Sequence, residues 1–179
     1  MKEMANKALG LGIIGAVAAL LLATVNSFTE PVIEEIRARE LEAALTEMAA
    51  GGRPGAVEDE PAEGIARRWP IEGSGGWILE LEASGYGGPM TVIASFGADG
   101  SLMVAKLMDN DETVGFGKKA EEPGYMGIFA GKGGDSPMPV TKSQLGGDAD
   151  VVSGATVTFT GISEALRSGS DAVKQWEGR

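Results

Sequence analysis

The chain has no cysteine and no histidine. Iron–sulfur clusters, thiolate zinc sites, c-type haem attachment and disulfides are therefore excluded within it. A triad built on histidine is excluded as well. A hydrolase using Ser153 or Thr156 would need a lysine base, and no Ser-x-x-Lys offers one. No metal site and no catalytic residue are expected. Redox chemistry would have to come from an organic cofactor that needs neither cysteine nor histidine as a ligand. Positive charge is also scarce: 15 basic residues face 26 acidic ones, for a net charge of −11. Only Lys2, Lys7 and Glu3 of these fall in the first 28 residues, so the acidic excess belongs to the remainder. That speaks against nucleic acid and against docking on anionic headgroups. It suits a soluble domain that does not adhere to its own membrane, and ordinary solubility accounts for it equally well.

What is present first is a long apolar run. Residues Ala8 to Phe28 carry no charge, and the first polar side chain is Thr24. About 20 mostly apolar residues cross a bilayer. Gly10, Gly12 and Gly15 are compatible with a membrane helix, where small residues let a neighbour approach. Lys2 and Lys7 precede the run, while Glu30, Glu34 and Glu35 follow it, so the N-terminus is expected in the cytoplasm and the rest outside. The competing reading is a cleavable signal peptide. Val25-Asn26-Ser27 is a poor small-x-small site for it, and both readings export the domain.

With 179 residues, the chain has room for one modest domain beyond this run. Residues 1–28 are expected to be cytoplasmic N-terminus and anchor, 29–64 a connecting helix and linker, and 65–179 the extracytoplasmic domain. Thr29 is placed as an N-cap, with Pro31 in the first turn. Gly51 to Gly64 reads as a loop. From Trp77 the period changes to two: Trp77, Leu79, Leu81 and Ala83 alternate with Ile78, Glu80, Glu82 and Ser84, as in a half-buried strand. Met90 to Phe96 and Leu102 to Met108 read as two more strands, joined by a Gly97-Ala98-Asp99-Gly100 hairpin turn. Ile162, Leu166, Val173 and Trp176 share one helical face. The expected fold is α+β: an antiparallel sheet with packed helices, preceded by one N-terminal transmembrane helix.

The informative stretch runs from Asp150 to Thr158. Gly154 and Ala155 let a bulky group approach the backbone, the start of a helix favours phosphate, and Thr156 offers a hydroxyl open to esterification. A polar turn with Thr158 or Thr160 capping the helix explains the same residues by type and spacing alone.

Asp150-x-x-Ser153-Gly154-Ala155-Thr156 resembles the flavinylation motif of the FMN-binding domain family. Gly85-Tyr86-Gly87-Gly88-Pro89 is similar to that family's turn before a strand, and the hairpin around Asp99-Gly100 follows as it does there. Glu112-Thr113-Val114-Gly115-Phe116-Gly117 resembles the ETPGLG segment beside the flavin, with Val114 and Phe116 departing from its proline and leucine. Val25 to Ile33 also resembles the family's anchor exit. The resemblance implies FMN bound covalently through a phosphoester to Thr156, with Ser153, Gly154 and Ala155 around it. It places Glu112, Thr113, Gly115, Phe116 and Gly117 near the ring. It further implies a flavin transferase that uses FAD as donor.

Two branches of the family fit. One is the G subunit of Rnf ion-translocating ferredoxin:NAD oxidoreductases. The other is the C subunit of sodium-pumping NADH:quinone oxidoreductases, usually longer before the flavin region than the Gly51–Gly76 stretch allows. The first is the expectation. It implies a membrane redox complex whose other subunits include a second FMN-bearing membrane protein and iron–sulfur subunits. It also implies that ion movement belongs to those partners, since one span has no polar pathway. An exported binding or scaffold domain is the alternative of a different class, and flavin content separates the two.

Overall fold

A computed structural model describes residues 2–58, 63–115, 117–122 and 124–177. By contacts the chain divides into two units, 1–43 and 44–179.

The described residues of the first unit are helical throughout. Helix α1 spans Lys2–Met48 without interruption, and its apolar stretch is long enough to cross a membrane. None of that stretch is buried within the chain. The N-cap expected at Thr29 does not form, because the helix is already running there. Thr29 Oγ1 instead donates back to the Val25 carbonyl at 3.1 Å, as Thr24 does to Leu20 at 2.7 Å and Ser27 to Ala23 at 2.9 Å. Hydroxyls satisfied along the helix itself do not compete for its backbone donors as a cap would. Pro31 lies inside the helix, where it removes one backbone donor.

The second unit is a five-stranded antiparallel meander with packed helices. Strands β1 (Arg53–Pro54), β2 (Ile65–Glu72), β3 (Trp77–Ser84), β4 (Pro89–Phe96) and β5 (Leu102–Asp109) lie side by side in chain order. The β3–β4 register runs unbroken from Trp77–Phe96 to Ser84–Pro89. The three strands expected from alternation are all present. Strand β2 was not expected, and two residues of the expected linker form β1. Arg67, Arg68 and Pro70 hide β2 from an alternation test. The sheet accommodates them by pairing Arg67 with Glu80 and Arg68 with Glu58. The Asp99 hairpin turn forms as expected: the Asp99 carboxylate accepts from the Ser101 hydroxyl at 2.6 Å and from its N–H at 2.9 Å. These bonds hold the Asp99 pKa below the usual carboxylate range.

Leu79, Leu81, Val92, Ala94 and Phe96 line one face of the sheet, where helix α2 (Thr156–Glu177) packs. Phe159, Ile162, Leu166 and Val173 on α2 are fully buried. Burying each such side chain contributes roughly 1.5–3 kcal/mol. That outweighs the roughly 1 kcal/mol that Gly161 and Gly169 each cost a helix relative to alanine. The register puts Trp69, Ile78 and Ser95 on the opposite face. The end of α1 belongs to this unit: Ala44 and Met48 are fully buried, and Glu47 pairs with Lys106 of β5 at 3.2 Å.

Candidate functional site

Between β5 and α2 the described residues form no strands, only short 3-10 turns at Gly117–Glu121, Met126–Phe129 and Lys142–Asp150. The last of these leads into the Ser153-Gly154-Ala155-Thr156 segment, whose backbone folds into a turn. Ser153 N–H donates to the Asp150 carbonyl, and Ala155 N–H to the Val152 carbonyl, both at 3.1 Å. Gly154 has φ +84, a conformation open to glycine but strained for other residues. Helix α2 then begins at Thr156, and its first incoming bond is from Phe159 N–H to the Ala155 carbonyl.

Ala155 occupies the cap position and has no side-chain acceptor. Among the described residues, the N–H groups of Thr156, Val157 and Thr158 therefore find no backbone partner. Open donors at the positive end of a 22-residue helix form a receptor for an anion. The Thr156 side chain is exposed beside them. Lys119 reaches the same turn, donating from Nζ to the Ser153 carbonyl at 2.9 Å.

The turn borders a cleft of about 470 Å³, within the size range of small-molecule sites. Residues 154–158 form one wall, Glu112 and Thr113 a second, and Tyr86 a third. Tyr86 is 79% exposed, whereas Glu112 is 5% exposed. The Glu112 carboxylate accepts from Thr158 Oγ1 at 2.9 Å and from Gly87 N–H at 3.1 Å. A buried acid in an apolar domain needs such partners.

The structure thus brings Glu112 and Thr113 to the same cleft as Gly154, Ala155 and Thr156. Ser153 sits just outside, with its carbonyl turned to Lys119. Gly115 is exposed and Gly117 buried against Glu112, neither of them lining the cleft. Phe116 lies outside the described residues. Asp150 contributes its carbonyl to the turn. Of the other groups considered near a ring, Tyr125 is core at 1% exposure, and Trp77 packs on Trp176 with ring centroids 5.2 Å apart.

Reading the motif by itself missed Tyr86, Val157 and Thr158 as walls of the cleft. Helical spacing was the signal available for Thr158: it lies four residues before Ile162 and eight before Leu166, on the buried face. Its hydroxyl caps nothing. It points inward to Glu112.

Fold and site together define a class: a small α+β domain behind a long apolar helix, with a cleft whose helix terminus suits a phosphorylated ligand. The FMN-binding domain model matches residues 85–171, and the RnfG N-terminal region model matches residues 1–48. The chain belongs to the FMN-binding domain family, in its RnfG branch.

It is similar to the G subunit of the ion-translocating oxidoreductase complex of Methanosarcina acetivorans, at 27% identity over 99% of this chain and 98% of that one. It resembles the protein of the same name from Cereibacter sphaeroides at 29% identity, over 89% and 79% of the two chains. The G subunit of the proton-translocating ferredoxin:NAD(+) oxidoreductase complex of Clostridium ljungdahlii matches at 22% over 57% of this chain and 55% of that one.

Proposed function

We propose that this chain is the G subunit of an ion-translocating ferredoxin:NAD oxidoreductase complex, and that it carries FMN as a phosphoester on Thr156 Oγ1. The observation that carries the attachment site is the start of α2, where an exposed hydroxyl stands beside three open backbone N–H groups at the edge of a cleft. The residues fit the group. The N–H groups and Lys119 balance a phosphate. The mixed polar and apolar walls suit a flavin ring.

In the attachment step, Thr156 Oγ1 forms the new bond to phosphorus. The pyrophosphate bond of FAD breaks, AMP leaves with the bonding electrons, and the threonine proton passes to a base of the flavin transferase. Bound FMN supplies the electron-carrying chemistry. Ser153, Gly154 and Ala155 keep the turn narrow around the phosphate. Glu112 and Thr113 wall the cleft, and Gly117 is buried against Glu112. The tether retains a cofactor that would otherwise be lost outside the cell.

The apolar part of α1 spans the membrane, with Lys2 and Lys7 on the cytoplasmic side and the FMN domain outside. Electrons pass between this domain and redox centres of neighbouring subunits, among them a second FMN-bearing membrane subunit and iron–sulfur subunits. Ion movement lies with those partners, since the apolar run from Ala8 to Phe28 holds no ionisable residue.

The test is the intact mass of denatured protein from its native host, with flavin fluorescence read from the same gel band. An added mass of FMN less water, mapped to the peptide holding Thr156, is expected. Thr156→Val should fold and carry no flavin. A full flavin complement on that variant would move the attachment elsewhere.

A further inference from the structure

Glu112 has more packed around it than a wall residue needs. Its carboxylate ties three separate segments together: the Gly85–Gly88 turn through Gly87 N–H, the loop after β5 on which it sits, and the first turn of α2 through Thr158 Oγ1. A Cβ at Gly85 or at Gly117 would overlap one of its two carboxylate oxygens. The acid therefore fills a socket that only glycine leaves open on two sides. Its own N–H donates to Asn110 Oδ1 at 3.2 Å, and Asn110 Nδ2 donates to Glu121 at 2.8 Å, so the loop is braced behind it. Thr158 is 1% exposed.

Residues i and i+2 of an α-helix point about 200° apart at 3.6 residues per turn. Holding Thr158 inward thus fixes Thr156 outward, at the cleft, together with the open N–H groups beside it. Without that hold, the first turn has no side-chain cap to keep it from fraying.

We propose that the Glu112–Thr158 pair is a latch that positions the attachment hydroxyl: it holds the first turn of α2 in the one orientation that presents Thr156 to an incoming flavin donor. The proposal rests on the reading that Thr156 is the attachment residue. Neither side chain touches the reacting atoms, so both are positioning residues, and the latch acts through geometry rather than through the charge of the acid.

The test uses the full chain co-expressed with a flavin transferase. The flavinylated fraction is followed over time by intact mass, and folding is monitored by circular dichroism on the same samples. Thr158→Val keeps the shape and loses the donor; its rate of flavinylation should fall on the order of tenfold, since a buried charged hydrogen bond is lost. Thr158→Ser should restore the rate. Glu112→Gln should lose less than Glu112→Asp does, because its carbonyl accepts from Gly87 N–H while its amide donates to Thr158 Oγ1. Glu112→Asp, one methylene shorter, should be slow.

A folded Thr158→Val that is modified at the wild-type rate overturns the latch. If Thr158→Val fails to fold, the pair Glu112→Gln and Glu112→Asp decides: equal rates overturn the proposal, and a Glu112→Gln faster than Glu112→Asp supports it. Thr156→Val run in parallel keeps the two ideas apart. If it is still flavinylated, the attachment reading fails. If it is empty while Thr158→Val matches wild type, only the latch fails.

Discussion

The two ends of α2 are built in opposite ways. At the C-terminal end, Trp176 packs edge-on against Trp77, and the Arg68 guanidinium lies 4.4 Å from one ring and 5.2 Å from the other. Arg68 is itself paired with Glu58 at 2.9 Å. One turn and a half earlier, buried Ser170 donates to the Gly100 carbonyl at 2.7 Å and accepts from Gly134 N–H. Lys174 bonds the Gly134 carbonyl. The polar groups of Arg68, Ser170 and Lys174 are paired off here and aromatic faces covered. At the N-terminal end, Thr156 and Val157 are exposed, three N–H groups find no backbone partner among the described residues, and Thr158 bonds inward to Glu112. The closed end supplies stability, which lets the other end keep donors free for a ligand. Unmet donors in a well-packed domain mark the end of the helix that has work to do.

The sharpest way to break this contrast is at Gly161, where α2 lies directly on β3. A Cβ there would run into the Ser84 carbonyl, and backbone cannot step aside as a flexible side chain can. Gly161→Val should cost more than about 4 kcal/mol and leave the domain unfolded or molten. Loss of a cooperative thermal transition, together with loss of flavinylation, is the expected result. A folded and flavinylated variant would mean that the helix is not seated on the sheet as described.

The second perturbation addresses the closed end alone. Trp176→Ala removes one wall of the Arg68 cage. Because Trp176 is partly exposed, the expected loss is about 2 kcal/mol, below the usual range for a buried tryptophan. Urea unfolding measures it. Flavinylation at low temperature should be unchanged, since none of the aromatic and ion-pair contacts described for this cage reaches the cleft. If that variant lost flavin while still folded, the two ends would not be independent.

Much of this contrast was legible in the sequence, and the parts that were not have physical reasons. Period-two alternation gave β3, whose apolar face packs on α2, and the Gly97–Gly100 turn separated β4 from β5. Periodicity failed at β2, where Arg67 and Arg68 snorkel over tryptophans and pair with Glu80 and Glu58 instead of alternating. The continuity of α1 past Thr29 was hidden because Thr29-Glu30-Pro31 is also a sound helix start, and only neighbouring carbonyls decide which role the hydroxyl takes. At the site, residue type and spacing alone favoured a polar turn over an esterified Thr156 hydroxyl. Resemblance reversed that weighting in favour of the esterified hydroxyl. The inward role of Thr158 was within reach of helical spacing, but its partner was not: Glu112 is 46 residues away, and only tertiary structure brings the two together.

The smallest expected effect sharpens the comparison from inside the core, near the open end. Tyr125 is 1% exposed, and its hydroxyl has no hydrogen-bond partner among the described residues. Burial first, and then the nearby Glu112 charge, push its pKa well above that of an ordinary tyrosine. Above about pH 10 the unfolded chain ionises this group while the folded chain keeps its proton. The folded state then holds more protons than the unfolded one, and stability falls as pH rises. Tyr125→Phe removes both the unpartnered hydroxyl and this alkaline loss. It should match or exceed wild-type stability by up to about 1 kcal/mol at neutral pH, and the gap should widen between about pH 10 and 11. Paired urea titrations at pH 7 and pH 10.5 measure it. A variant less stable than wild type at both would mean that the hydroxyl is held by a group in the folded protein.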